Sequence, residues 1–228
     1  MRRVGLLSFA LAVALTAPAC SKSQSTADTS GSASPAVGTA GKTEVTRGDK
    51  NFVHDVAIAN MAEVDLGRLA ADRGTDTEVK KFGQMMVDDH TKASDTLKTV
   101  ASQYSIEVPT SLDDKHSDVR EKLTKKQGFE FDRDYIDAMV DGHKDVLDKL
   151  ESRIDKAKLA EWKTQEDDRL AAKKAEVKGE ALAILPEKSD NAVTASINQW
   201  AADTYPTVYA HLYTAKGIQT ALKRRTTN

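Results

Sequence analysis

Residues 79–104 read VKKFGQMMVDDHTKASDTLKTVASQY. Val79, Gly83, Met86, His90, Ala93, Leu97, Val100 and Tyr104 recur at alternating steps of three and four, which places them on one face of an α-helix. The residues between them are mostly charged or hydroxyl-bearing, so the opposite face is solvated. His90 stands in the middle of the apolar face, where a hydrocarbon side chain is expected. This stretch therefore sets both the class of structure and the question of what an imidazole does inside it.

The same pattern occurs three more times. A helix from about Asp49 to Arg73 carries Phe52, Val56, Ala59, Glu63, Leu66 and Ala70, with Gly74 as its C-cap. A helix starting near Phe129 carries Asp132, Ile136, Met139, His143, Val146, Leu150 and Ile154. A helix starting near Asp190 carries Ile197, Trp200, Thr204, Val208, His211, Ala215, Ile218 and Leu222. Pro206 lies inside the last one and is expected to kink or split it, because proline lacks a backbone donor and clashes with the preceding turn. A short linking helix is predicted over 117–126. Near the middle of each long stripe stands a polar residue that calls for explanation: Glu63, His90, His143 and His211.

Four amphipathic helices with mostly short connections predict an all-α, up-down-up-down four-helix bundle. The levels agree. His90 lies 14 residues before Tyr104 and His143 lies 14 after Phe129, so at ~1.5 Å per residue both sit ~21 Å from the same end. Glu63 falls within ~7 Å of that layer. Residues 155–185 break the pattern: 14 of them are charged and the apolar stripe is thin, with Leu159, Trp162, Leu170 and Val177. They read as a solvated helical extension of the third helix that returns through Gly179 and Pro186; an arm binding a protein partner is the other reading.

Composition fits a helical domain. Charged residues make up 30% of the 228-residue chain and aromatic residues only 5%, so Leu, Val, Ile, Met and Ala must build the core. The net charge of −2 comes from interspersed charges of both signs. No basic patch is present of the kind that holds nucleic acid. No nucleophile–base pair, phosphate loop or nucleotide motif is evident.

The N-terminal region reads as export machinery. Arg2-Arg3 precede the apolar run Val4–Leu15, which is too short to span a bilayer, and Ala17-Pro18-Ala19 ends it. Residues 1–19 are expected to be a signal peptide. Cys20, the only cysteine, resembles the lipid-modified cysteine of a bacterial lipoprotein, although such signals usually carry Leu and a small residue where Ala17 and Pro18 stand. An ordinary Ala-x-Ala cleavage is the alternative. Residues 20–48 are expected to form a flexible tether, since 21–41 hold six serines, three glycines and two charges. The domain itself is expected over 49–228, with 155–189 as the charged connection. The expected location is the periplasmic side of a membrane, as an outer-membrane lipoprotein anchored through Cys20.

Met86-Val87-Asp88-Asp89-His90 and Met139-Val140-Asp141-Gly142-His143 repeat an M-V-D-x-H motif, and Val208-Tyr209-Ala210-His211 adds a third V-x-x-H. Di-iron carboxylate bundles carry E-x-x-H on two helices; here Val replaces each Glu. Together with MAEVDLGRLA at 61–70, VKKFGQMMVDDHTKASDTLK at 79–98, GFEFDRDYIDAMVDGH at 128–143 and YPTVYAHLYTAK at 205–216, these motifs resemble the exported bacterial proteins of the DUF4142 family. The resemblance implies a ferritin-like fold and an exported location, and no established activity.

Glu63, His90, His143 and His211 are the candidate ligands of a transition metal, because imidazole with carboxylate suits Zn, Fe or Cu and each residue comes from a different helix. Asp89, Asp132 and Asp134 are candidate acceptors that orient the imidazoles. Met86 and Met139, one turn before His90 and His143, are alternative ligands that would favour copper, or else core filling. A buried polar network without metal is the competing explanation. The functions compatible with this pattern are a metal-binding envelope protein, a metal-dependent oxidoreductase, and a metal-free structural or stress-related envelope module.

Overall fold

The computed structural model describes residues 42–171 and 182–225. Six helices account for about four fifths of them: α1 (Arg47–Arg73), α2 (Thr77–Gln103), α3 (Asp114–Thr124), α4 (Gly128–Glu151), α5 (Lys156–Ala171) and α6 (Ala192–Arg225). The described residues form no strand, only two isolated bridges, and the fold is all-helical. None of these helices is long and apolar enough to cross a membrane. Residues 1–41, including the expected signal peptide, Cys20 and most of the tether, lie outside the described residues, as do Gly179 and Val177. The last part of the expected tether does belong to the folded unit: Lys42 bridges Asn191, and the Asn191 amide donates to the Glu44 carbonyl at 2.7 Å.

Local chemistry sets the helix starts. Thr46 and Asp49 form a reciprocal capping box at α1, and Asp76 and Asp113 cap α2 and α3 with their carboxylates, satisfying backbone donors that have no partner within the helix. Burial then follows the stripes. Phe52, Val56, Leu66, Met86, Leu97, Ile136, Met139, Val146, Leu150, Ile197 and Val208 are all core residues.

Every neighbouring pair among α1, α2, α4 and α6 is antiparallel. Asn60 bonds His90 and Gly67 meets Gly83 between α1 and α2. Lys149 bonds Asp55 and Arg153 bonds Asp49 between α1 and the end of α4. Trp200 bonds Thr96 and Arg225 bonds Asp76 between α2 and α6. Tyr205 bonds Glu151 and Gln219 bonds Asp137 between α4 and α6. At the Gly67–Gly83 crossing an added Cβ on either residue would sit 2.7 Å from the other's carbonyl oxygen, so only glycine lets α1 and α2 approach this closely.

Three expectations are corrected. The four antiparallel pairs leave α2 and α4 parallel to each other and α1 parallel to α6, so the long helices run up-down-down-up and not up-down-up-down. The segment with α3 returns the chain to the α1–α2 turn, where Asp132 near the start of α4 meets Thr75, and His90 and His143 share a layer because they lie 13 and 15 residues after the starts of α2 and α4. The charged segment after α4 is a separate helix. α4 stops at Glu151, and the turn after it is held by long-range bonds: Asp155 N–H to the Leu185 carbonyl, Glu187 N–H to the Arg153 carbonyl, both 2.9 Å. α5 then folds back onto α6, with Trp162 edge-on to Tyr205 and Tyr209 at 5.7 and 5.3 Å. Pro206 does not split α6, which runs unbroken from Ala192 to Arg225. Tyr205 and Val208 on either side of it are buried, and that packing outweighs the missing backbone donor.

Candidate metal centre

His90 on α2, His143 on α4 and His211 on α6 meet in the interior. All three are buried. Their ring centres are 5.6 Å (His90–His143), 5.3 Å (His90–His211) and 5.5 Å (His143–His211) apart. One nitrogen from each lies within 4.8 Å of the others. An ion ~2.1 Å from each of three nitrogens in tetrahedral geometry sets the ring centres roughly 5.3 Å apart, so the spacing already suits a metal.

The outer nitrogens define the inner ones. His90 Nδ1–H donates to Asn60 Oδ1 at 2.9 Å, His143 Nδ1–H to the Met139 carbonyl at 2.8 Å, and His211 Nε2–H to Asp89 Oδ2 at 2.9 Å. Each partner is an oxygen that can only accept, so each outer nitrogen carries the hydrogen. The remaining nitrogens, His90 Nε2, His143 Nε2 and His211 Nδ1, are buried and bonded to no protein atom. A neutral imidazole with one N–H presents a lone pair at the other nitrogen.

The rings are neutral at ordinary pH. Burial pushes His90 well below the usual imidazole range, helped by the neighbouring rings. Burial pushes His143 down to about 3. His211 is also lowered by burial, against the opposing pull of Asp89. Three lone pairs thus converge with no hydrogen among them, so they cannot satisfy one another. The three histidines could hold a metal ion.

Glu63 is in the same layer but outside this set. Its Oε1 lies 3.4 Å from His143 Nδ1, the nitrogen on the far side of the ring from Nε2. Gly142 makes room for it, since a Cβ there would come within 3.1 Å of Oε1. Glu63 Oε2 has no protein partner, and burial raises the carboxyl to about 8. The expected set of four ligands is therefore a cluster of three with a carboxyl behind one ring.

Among the expected orienting acids, Asp89 does hold a histidine. Asp132 does not: it accepts from the Thr75 and Asp76 backbone and clamps the α1–α2 turn onto α4. It lies 11 residues before His143, about 16 Å along the helix. Asp134 pairs with Arg133 and Lys126 at the surface. Met86 and Met139 are core residues, and Met139 serves His143 through its backbone carbonyl. His54 and His116 pair with Asp55 and Asp113 away from the cluster. Asn60 went unread in the sequence. The signal was its place on the buried side of α1, one turn before Glu63.

The sequence profile of the family described as Domain of unknown function (DUF4142) matches residues 34–178. The match includes Asn60, Glu63, His90 and His143 and ends before α6 and His211. No curated protein and no solved structure matches the chain. With well over half of its residues matched, the chain belongs to the DUF4142 family.

Proposed function

We propose that this is an exported cell-envelope protein that binds one transition-metal ion inside a ferritin-like four-helix bundle whose long helices run up-down-down-up. The antiparallel pairing of α1, α2, α4 and α6 supports the bundle. The single observation that carries the metal is the convergence of three lone-pair nitrogens, each ring held in its tautomer by an outer acceptor, as metal-ligating imidazoles are. Imidazole donors suit Zn, Cu and Fe. Three neutral rings bring no charge of their own, so Asp89 behind His211, and Glu63 behind His143 once a cation draws off its proton, are the nearby groups that can offset the charge.

Elemental analysis of tag-free protein, beside a His90→Ala/His143→Ala variant, tests this. The expected result is about one metal per chain, lost in the variant. Sub-stoichiometric metal in both would contradict it and leave the metal-free structural or stress-related module. A metal-dependent oxidoreductase is the second reading, favoured by one observation: three protein nitrogens leave a coordination position open, the pattern of catalytic rather than closed structural sites.

The envelope location rests on Arg2-Arg3, the apolar run to Leu15 and Cys20. We propose lipidation of Cys20, anchoring the domain on the periplasmic face of the outer membrane. Cys20→Ser should move the protein from the membrane to the soluble fraction; an unchanged membrane fraction would refute the anchor.

A further inference from the structure

Given the metal reading above, on which this rests, we infer that the open side of the three-histidine site faces the cleft between α2 and α6, and that a metal held there takes a small exogenous ligand from that cleft. The cleft has a volume of about 260 Å³ and is lined by His90 and His211 together with Ala93, Thr96, Thr207 and Val208. Two of the three histidines thus belong to its wall.

The opposite side of the cluster is closed. The Phe82 ring packs 6.3 Å from His143 and 6.4 Å from His211, centre to centre, and is itself buried. Phe82 lies two turns before His90 on α2. Ala93 and Thr96 follow His90 on α2. Thr207 and Val208 precede His211 on the antiparallel α6. The cleft and Phe82 therefore lie toward opposite ends of the helix axes, with the nitrogens between them.

A second cavity of about 370 Å³ between α1, α3 and α4 touches Glu63 and Met139 but none of the three histidines. Of the two spaces, only the α2–α6 cleft meets the ligand set. Asp89, which holds His211, is 42% exposed and stands where this cleft opens to solvent, beside Asp203 and Lys92. At ~30 Å³ per water, the cleft has ample room for water or a linear triatomic anion.

The test uses tag-free protein loaded with Co(II) and titrated with azide, followed by the visible spectrum. The expected result is a saturable spectral change at one azide per cobalt. Ala93→Phe, which fills the cleft, should weaken azide by about tenfold or more while cobalt still binds one per chain. Ala138→Phe, in the other cavity, should leave azide binding as in the unmodified protein. Thr207→Trp, on the exposed rim, gives the same comparison as Ala93→Phe without touching the core. A cobalt spectrum that azide does not alter would overturn the inference, as would loss of azide binding in Ala138→Phe with none in Ala93→Phe or Thr207→Trp. Failure of cobalt to bind at all would instead overturn the metal reading itself.

Discussion

Asn60→Leu and Asp89→Ala should each weaken metal binding by about 10- to 100-fold with all three histidines still in place. Asn60 Oδ1 keeps the hydrogen of His90 on Nδ1, and Asp89 does the same for Nε2 of His211. Without these acceptors each ring can rotate or take the other tautomer, which puts a hydrogen where the metal must bind. Asn60→Leu should also lower the stability of the metal-free protein by about 1–3 kcal/mol, because the buried His90 Nδ1–H loses its acceptor. Removal of the Asn60 amide nitrogen, which is buried without a partner, offsets part of that cost. Competition against a chromophoric zinc chelator measures the first effect and chemical denaturation the second. Unchanged affinity in both variants would mean that the outer bonds do not position the rings.

Asp49→Ala should lower stability by about 3–5 kcal/mol, the usual cost of breaking a buried ion pair. Asp49 is fully buried. It accepts from Thr46 at the start of α1, from Arg153 Nη1 at 2.9 Å and from Thr194 Oγ1 at 2.9 Å. One carboxylate thus ties the start of α1, the α4–α5 turn and the first turn of α6. The effect depends on pH. Burial alone would raise Asp49, but the hydrogen bonds from Thr46, Arg153 and Thr194 outweigh it and hold the carboxyl below its ordinary 3.8. A carboxyl with a lowered folded-state pKa contributes its full stabilisation above the unfolded value and loses it as pH falls through the folded one. The gap between the two proteins should therefore be constant at neutral pH and shrink below about pH 4. Asp55, Asp76 and Asp113 are also held low; they remain in the variant, so the difference isolates Asp49. Denaturant midpoints across pH 3–7 measure it, and a pH-independent gap would count against the ion pair as the cause.

Much of this was legible in the sequence because a 3.6-residue period reports which side of a helix is buried. Glu63, His90 and His143 interrupt stripes that are buried throughout α1 and α4 and over most of α2. Their levels match, but the expected antiparallel pairing of the His90 and His143 helices does not hold, because the direction of α4 is set by the long connection through α3 and not by periodicity. Periodicity gives the face, not the side of a ring. It could not show that Glu63 approaches Nδ1 of His143 while Nε2 turns to the other histidines. Nor could it show that His143 is held by a backbone carbonyl, since every residue carries one. Asp132 misled because it shares a stripe with His143 three turns away. The stop of α4 at Glu151 was hidden for another reason. It is set by partners distant in sequence, Asp49, Leu185 and Glu187, while the local residues favour helix on both sides.

The convergence of three unprotonated nitrogens is the central claim, and nitrogen NMR of the histidine rings tests it most directly. In metal-free protein at pH 7 the account predicts neutral rings throughout the cluster. His90 and His143 should carry the hydrogen on Nδ1 and His211 on Nε2. One equivalent of zinc should then shift His90 Nε2, His143 Nε2 and His211 Nδ1, leaving His54 and His116 unchanged. A proton on any of the three inner nitrogens, or zinc shifts confined to the outer ones, would contradict it.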